Sequence, residues 1–316
     1  MSHSILITGA NGQLGTVLTQ ALQLKYGLEN VIASDLHPSK SYEGIFEVLD
    51  VTNVERLEQV ILQYEVKQIY HLAAILSANG EKNPLRTWEV NMKALLNVLE
   101  ASRINHVDKV FYPSSIAVFG ESAPQTNTPN DSLLDPVTSY GLSKAAGENW
   151  GKYYFHKYGL DVRSLRYPGI IGHQSNPGGG TTDYAVEIFH KAVKQQPFTC
   201  FLDEETTLPM IFMDDAVRAT LELMEAPREN IKIRTSYNIA GISFSPAQVV
   251  DSIREKYPEF KVEYAPDYRQ DIASKWPKSI LDKEAHRDWS WKPRYSLSKI
   301  TKTMIDKLEN KYAMYN

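Results

Sequence analysis

The sequence predicts an α/β protein built on a doubly wound parallel sheet, with a smaller lobe formed by its C-terminal part. Two observations carry this prediction. In the first half of the chain, short apolar runs alternate with stretches of helical periodicity, which is typical of a parallel sheet with helices on both faces. The first run also passes directly into a glycine-rich turn, T-G-A-N-G-Q-L-G at residues 8–15, and then into a helix. We therefore expect strand–helix–strand units with right-handed crossovers.

The elements of this sheet follow in order along the chain. Residues 4–8 are too few for a helix and almost wholly apolar, as expected of a buried parallel strand. The helix after them is indicated by apolar residues at helical spacing, namely Leu14, Val17, Leu18, Ala21 and Leu22. Further apolar runs predict strands at residues 31–34, 44–49, 68–73, 109–112 and 161–167. Helices are predicted at residues 53–64, 84–104 and 139–158.

Beyond residue 168 the pattern loosens into short strands, loops and helices. Helical periodicity recurs at residues 183–194, 214–225, 246–257 and 297–312, and residues 236–240 could return a strand to the sheet. We therefore expect a sheet domain and a smaller lobe that binds the substrate. The predicted boundaries are residues 1–168 with a return at 213–240 for the sheet domain, and residues 169–212 and 241–316 for the lobe.

Composition narrows the class of protein. The chain has 316 residues, 42% of them hydrophobic, and a net charge of −4, which argues against nucleic acid or an anionic membrane as partner. The apolar runs are all shorter than the roughly 20 residues of a membrane helix. The N-terminal residues enter a strand at once, so we expect no targeting segment. With Cys200 as the single cysteine and eight scattered histidines, we expect a cytoplasmic protein without a metal site.

The glycine-rich turn predicts a dinucleotide site. Its glycines, Gly9, Gly12 and Gly15, permit a tight turn, close approach of a pyrophosphate, and close packing of helix on strand. The helix N-terminus offers free N–H groups to phosphate. The residues of the turn expected to bind the cofactor are Gly9, Asn11, Gly12, Gln13, Leu14 and Gly15.

A carboxylate at the end of the second strand predicts which dinucleotide is bound. Asp35 lies 20 positions beyond Gly15, where an acid accepts hydrogen bonds from the adenosine ribose and repels a 2′-phosphate. The expected cofactor is therefore NAD rather than NADP, although a solvated loop aspartate is the simpler alternative. Other residues expected to bind the cofactor lie at the ends of the later strands: Asp50, Val51, Ala73, Ala74 and Tyr167.

A tyrosine and a lysine spaced four apart predict proton transfer. Tyr140 and Lys144 lie on one face of a helix, in Y-G-L-S-K, and both are also expected to contact the cofactor. Tyrosine is a poor base at its ordinary pKa near ~10, but a nearby ammonium favours the tyrosinate. Ser114 and Ser115 follow the fifth strand, where a hydroxyl can bond the substrate oxygen. Either serine could instead be a turn residue after Pro113.

These motifs together resemble the extended short-chain dehydrogenase/reductases, which have a Rossmann fold. The later segments L-R-Y-P-G-I-I, P-G-G-G-T-T-D-Y-A-V-E-I-F, L-P-M-I-F-M-D-D-A-V-R-A-T and S-K-W-P-K-S are similar to those of the L-threonine 3-dehydrogenases related to UDP-galactose epimerase. This resemblance implies NAD-dependent oxidation of L-threonine to 2-amino-3-oxobutyrate without a metal. It also implies a homodimer formed through the helices at 84–104 and 139–158.

The glycine run at 178–180 fits a small carboxylate. Consecutive backbone N–H groups can cradle an anion, so we expect Gly179 to bind the substrate together with the hydroxyls of Thr181 and Thr182. Ser77 is expected to face the substrate from the end of the fourth strand, and Trp276 to cover it as part of a lid. A flexible loop that merely turns the chain is the alternative interpretation.

Two other functions remain open at this stage. A nucleotide-sugar epimerase or dehydratase would use the same tyrosine–lysine pair on a hexose, and UDP binding would favour it. A redox-sensing protein would keep the nucleotide turn without catalysis, but the intact pair Tyr140–Lys144 speaks against this function.

Overall fold

The computed structural model describes residues 4–39, 42–174, 176 and 180–313. Within these residues the strands are β1 Ile5–Thr8, β2 Val31–Asp35, β3 Ile45–Val48, β4 Gln68–His71, β5 Lys109–Ser115, β6 Asp161–Tyr167, β7 Gly169–Ile171, β8 Phe198–Cys200, β9 Leu208–Phe212, β10 Tyr237–Asn238, β11 Ile242–Phe244 and β12 Val262–Tyr264.

The helices described are α1 Gln13–Tyr26, α2 Val54–Gln63, α3 Ser77–Gly80, α4 Pro84–Ile104, α5 Ser139–Tyr158, α6 Tyr184–Val193, α7 Met213–Glu225, α8 Pro246–Arg254, α9 Tyr268–Ala273, α10 Lys283–Trp289 and α11 Leu297–Ala313. None of them, over the residues described, has the length and apolar character that a membrane span requires.

Seven strands form one parallel sheet in the order β10-β6-β5-β4-β1-β2-β3. The chain leaves β1 toward β3 on one side and then crosses to β4 on the other, so the strand order reverses between β1 and β4. A crevice outside the carboxyl ends of the strands at such a reversal is where doubly wound sheets bind ligands.

Helices cover both faces of this sheet because the strands are apolar on both sides. On one face α1 and α7 bury leucines such as Leu18 and Leu223, and on the other α2 and α4 bury residues such as Leu57 and Leu99. Removal of this apolar surface from water drives the packing. The doubly wound parallel sheet predicted from the sequence is confirmed.

The smaller lobe packs beside the carboxyl ends of the strands. It contains a three-stranded sheet in the order β11-β9-β7, a parallel pair of β12 and β8, and an apolar core shared by α6, α8 and α11. The expected return strand is β10, which pairs in parallel with β6. The domain boundaries themselves stay a prediction.

Helix α5 has well-defined ends. Thr138 caps its N-terminus by accepting a hydrogen bond from the N–H of Gly141 at 3.0 Å, and Gly159 ends it in the left-handed conformation. The helix packs against α4, β5 and β6. It therefore presents its first turns to the carboxyl ends of the strands.

Candidate active site

A cavity of about 430 Å³ lies where the sheet meets the smaller lobe. Its wall combines the ends of β1, β2, β4, β5 and β6 with the start of α5 and the segment before α6. The cavity is thus lined by residues of the sheet domain and of the smaller lobe. A site that must hold a cofactor and a substrate side by side requires such an arrangement.

The glycine-rich turn forms one end of this cavity. Gly9 has φ +74°, and a Cβ there would lie 2.6 Å from the backbone nitrogen of Ala73. A Cβ on Gly15 would collide with the carbonyl oxygen of Gly9. No described side chain caps the N-terminus of α1, so the N–H groups of its first turn are available to a phosphate. These features fit the pyrophosphate of a dinucleotide.

Asp35 lies at the end of β2, and its carboxylate shapes the turn as well as the cavity wall. It accepts hydrogen bonds from the backbone N–H of Asn11 at 3.0 Å and from that of Leu36 at 2.7 Å. The side chain of Asn11 donates to the carbonyl of His37 at 2.7 Å and does not line the cavity. The backbone of Asn11 thus supports Asp35, and a direct contact of Asn11 with the cofactor stays a prediction.

Tyr140, Lys144 and Ser115 meet in the middle of the cavity. The Lys144 ammonium lies 5.4 Å from the ring centroid of Tyr140 and 4.6 Å from that of Tyr112. Ser115 is the last residue of β5, and its hydroxyl hydrogen-bonds the phenol of Tyr140. A hydroxyl donor, a phenol and an ammonium are thus collected within one proton-transfer site.

Burial controls the ionisation of this group. It raises the pKa of Tyr140 to about 12, and the hydrogen bond from Ser115 lowers it in part. Burial also lowers the pKa of Lys144 to about 7. In the protein by itself desolvation of the phenolate is the larger effect, so the expected lowering of the Tyr140 pKa by Lys144 stays a prediction for the complex with NAD.

Ser114 already has a hydrogen-bond partner in this structure. It lines the cavity and is 2% exposed, but its hydroxyl donates to Oε1 of Glu148 at 2.6 Å. That proton is therefore engaged, and a direct hydrogen bond from Ser114 to a substrate oxygen does not fit the geometry. Ser115 remains the candidate for this role.

The other end of the cavity is lined by polar groups of the lobe. Thr181 is 1% exposed, and its hydroxyl lies 3.4 Å from that of Ser77. Trp276 is 4% exposed, and its indole Nε1–H has no partner among the described residues. A buried N–H without an acceptor is costly, so this donor is a candidate partner for an acceptor on a bound ligand.

The predicted glycine cradle lies only partly within the described residues. Gly179 lies outside the described residues. The N–H of Gly180 donates to a carboxylate oxygen of Asp183 at 2.8 Å, directly before α6. This N–H is therefore not offered to the cavity in this structure, whereas Thr182 and Asp183 both line it.

Most of the predicted site residues share this one cavity. Those that line it are Gly9, Gly12, Gln13, Leu14, Gly15, Asp35, Asp50, Val51, Ala73, Ala74, Ser77, Ser114, Ser115, Tyr140, Lys144, Tyr167, Thr181, Thr182 and Trp276. Sequence reasoning missed Asp183 and an apolar wall that includes Leu36, Ile75 and Ile116. The position of Asp183 directly after the two threonines was a signal for the first, but the wall forms only through tertiary packing.

Fold and site define a dinucleotide-binding protein of the doubly wound class with a tyrosine–lysine pair beside the cofactor crevice. The chain belongs to the NAD dependent epimerase/dehydratase family, whose model matches residues 5–240. NAD is accordingly its cofactor.

Individual relatives extend over the whole chain. An uncharacterized epimerase/dehydratase of Staphylococcus aureus is 44% identical over 99% of this chain and 98% of its own length. A GalE-like L-threonine dehydrogenase from Cupriavidus necator, solved in a holo form, is 51% identical with a TM-score of 0.95, covering 96% of this chain and 99% of that one. A monomeric L-threonine 3-dehydrogenase from a metagenome is 46% identical with a TM-score of 0.95, covering 97% and 99%.

Cofactor preference is expected to depend on Asp35. Replacing Asp35 with serine removes a charged acceptor for the ribose hydroxyls, so NAD binding should weaken by about 1.5–3 kcal/mol and its advantage over NADP should narrow. The dissociation constants of both cofactors measure this. Asp108→Ser, at an exposed site outside the cavity, is the control. A wild-type protein that already prefers NADP would contradict the role of Asp35.

Proposed function

We propose that this protein oxidises the 3-hydroxyl group of L-threonine with NAD and yields 2-amino-3-oxobutyrate. The observation that carries the proposal is the shared cavity, which Tyr140, Ser115 and Lys144 line together with Thr181 and Trp276 of the lobe. The likeness to two L-threonine dehydrogenase structures over nearly the whole chain supports the same substrate.

Proton removal falls to Tyr140. As tyrosinate it accepts the proton of the substrate hydroxyl, while Ser115 donates a hydrogen bond to the same oxygen as that oxygen becomes a carbonyl. The ammonium of Lys144 favours the tyrosinate electrostatically and is placed to hold a ribose hydroxyl. NAD, when bound, supplies the acceptor for the hydride of substrate carbon 3.

The polar end of the cavity suits a small zwitterion. We assign the substrate carboxylate to the hydroxyl of Thr181 and the unpartnered indole N–H of Trp276, beside the N-terminus of α6. We assign the substrate ammonium to the carboxylate of Asp183, which lines this end of the cavity. Ser77 supports Thr181 from the opposite wall.

The charge of the cavity wall argues against a nucleotide-sugar substrate. Among the described residues that line it, Lys144 is the one cationic side chain, and it stands at the reaction centre. A nucleotide diphosphate would bring two further negative charges and meet no additional cation there. A zwitterion without net charge has no such need.

A substrate panel tests the proposal. Reduction of NAD is followed with L-threonine, L-serine, 3-hydroxybutyrate and 1-amino-2-propanol, with and without a chelator, and epimerisation of UDP-galactose is assayed in parallel. We expect L-threonine to be used best and 1-amino-2-propanol very poorly because it lacks the carboxylate. Epimerase activity without threonine oxidation would overturn the proposal. If a chelator abolished threonine oxidation and zinc restored it, the expectation that the enzyme needs no metal would be wrong.

Binding of the carboxylate predicts a specific effect of Thr181. Thr181→Val keeps the volume but removes the hydroxyl, so threonine binding should weaken by about 1.5–3 kcal/mol, the range for a hydrogen bond to a charged group, and the KM for threonine should rise accordingly. The dissociation constant of NAD should not change, because the cofactor binds along the strand ends. Steady-state kinetics and NAD titration provide both numbers. A KM equal to that of the wild type would place the carboxylate elsewhere.

We also propose that two copies pair through α4 and α5. These helices expose large apolar side chains on their outer surfaces: Leu85, Trp88, Leu142, Trp150, Tyr153 and Tyr158. Aromatic side chains of this kind are enriched at protein interfaces. The monomeric relative makes a direct test necessary for this chain.

A charge on this surface tests the pairing. Trp150→Glu should convert the protein to a monomer in sedimentation velocity, because an unpaired carboxylate would be buried between the copies. Leu24→Glu is the matched control, since Leu24 is 90% exposed on α1. A wild-type protein that sediments as a monomer would contradict the proposal. A cytoplasmic location likewise stays a prediction.

A further inference from the structure

Glu148 lies on the buried face of α5, one turn beyond Lys144 and two turns beyond Tyr140. It is 1% exposed. Its Oε1 accepts hydrogen bonds from the Ser114 hydroxyl at 2.6 Å and from Nε of Arg166 at 2.8 Å, and its Oε2 accepts from Nη2 of Arg166 at 2.7 Å. One carboxylate thus joins α5 to the ends of β5 and β6.

Arg166 is a fixed anchor for this carboxylate. It is 2% exposed, and its Nη1 donates to the carbonyl of Asn130 at 2.7 Å and to Oδ1 of Asn238 at 3.2 Å. Its guanidinium lies 5.0 Å from the ring centroid of Phe119. All three guanidinium nitrogens therefore have partners, so the position of Glu148 is determined from two sides.

The two hydrogen-bond partners of Glu148 are each the direct neighbour, along the chain, of a residue that lines the cavity. Ser114 directly precedes Ser115, and Arg166 directly precedes Tyr167, which lines the cavity. Ser115 and Tyr140 belong to different elements, and their hydrogen bond requires a fixed distance between β5 and α5. The Glu148–Ser114 bond joins the same two elements, one residue from Ser115 on β5 and two turns from Tyr140 on α5.

We propose that Glu148 is a positioning residue for the threonine oxidation proposed above: through Ser114 and Arg166 it sets the distance between Ser115 on β5 and Tyr140 on α5. It does not touch the substrate. Its loss should loosen the Ser115–Tyr140 hydrogen bond, and misplacement of a reacting group by about 1 Å can cost as much as roughly 100-fold in rate.

The simpler alternative is that the buried pair only stabilises the fold. The chain offers a matched control on β6, the strand that carries Arg166. Asp161 is also buried, and it pairs with Arg163 at 2.7 Å and with Arg234 at 2.6 Å. It does not line the cavity. Removing either carboxylate leaves buried guanidinium charge unbalanced, so both variants should lose stability.

The test compares Glu148→Gln, Ser114→Ala and Asp161→Asn. For Glu148→Gln we expect a roughly 10- to 100-fold lower kcat per folded molecule, a pH profile of kcat displaced to higher pH, and a nearly unchanged NAD dissociation constant. Ser114→Ala should show the same displacement with a smaller loss of thermal stability. Asp161→Asn should lose stability but keep the wild-type kcat and pH profile.

The pKa of Tyr140, measured in the NAD complex without substrate, tests the positioning role of Glu148 even if the substrate is not threonine. In NMR titrations of ring-labelled tyrosine in the NAD complex, the Tyr140 resonance is assigned by its absence in Tyr140→Phe. We expect its pKa to be higher in Glu148→Gln than in the wild type, whatever the substrate, because the hydrogen bond from Ser115 lowers it. Unchanged titration in both Glu148→Gln and Ser114→Ala, or an equal loss of kcat in Asp161→Asn, would overturn the positioning role.

Discussion

Tyr140→Phe is expected to lose nearly all turnover while it binds NAD almost as the wild type does. The substitution keeps the ring that lines the cavity and removes only the oxygen that accepts the substrate proton. Removal of a general base lowers kcat by about 10²–10⁴-fold. The measurements are kcat for threonine and the dissociation constant of NAD.

The control for this variant is Tyr268→Phe, at a half-exposed tyrosine outside the cavity, which should behave as the wild type. If Tyr140→Phe retained near-wild-type turnover, another group would have to act as the base. Among the described residues of the cavity, the buried amine of Lys144, with its pKa lowered to about 7, would then be the first candidate.

Lys144→Met is expected to damage both cofactor binding and rate. Methionine fills a similar space but has no ammonium, so a charge-assisted hydrogen bond to the ribose is lost together with the charge that favours the tyrosinate. The first loss should weaken NAD binding by about 1.5–3 kcal/mol. The second should displace the pH profile of kcat to higher pH, because the phenolate loses a stabilising positive charge.

A second lysine of α5 shows whether these effects are specific to Lys144 or follow from the loss of any lysine on this helix. Lys152→Met removes an exposed lysine of α5 that does not line the cavity, and it should leave both quantities unchanged. If Lys144→Met lost turnover but kept the NAD affinity of the wild type, the assignment of Lys144 to the ribose would be wrong.

Much of the sheet domain could be predicted from the sequence because local patterns specify it. The helices at 84–104 and 139–158 and the strand at 161–167 were predicted with the bounds that the structure gives. Strand β5 continues to Ser115, beyond the predicted end at residue 112, because Ser114 and Ser115 still pair with Arg166 and Tyr167 of β6. Apolar periodicity carries no signal for polar residues that are paired at a strand end.

The short strands of the lobe could not be predicted in the same way. Strand β7 is only Gly169–Ile171 and pairs with β9, about forty positions later, and β12 pairs with the distant β8. Such pairings depend on tertiary structure rather than on a local pattern. The site motifs were easier, since their spacing on one strand–turn–helix unit or one helix turn places their residues together.

The observed contacts of the site are least predictable where a side chain has a choice of partners. The amide of Asn11 bonds His37, and the hydroxyl of Ser114 bonds Glu148. Both residues stand in the expected segments, but their directions depend on acceptors that are distant in sequence. The raised pKa of Tyr140 could not be predicted for a related reason, because the spacing of Tyr140 and Lys144 shows their proximity but not their desolvation.

Transfer of deuterium from substrate to cofactor tests most directly whether the carbon–hydrogen bond at carbon 3 of threonine is the bond that is broken. Wild-type protein is mixed with NAD and L-threonine carrying deuterium at carbon 3, and the reduced cofactor is examined by mass spectrometry. We expect one deuterium on each molecule of reduced cofactor. Reduced cofactor without deuterium, or no reduction with threonine at all, would contradict it.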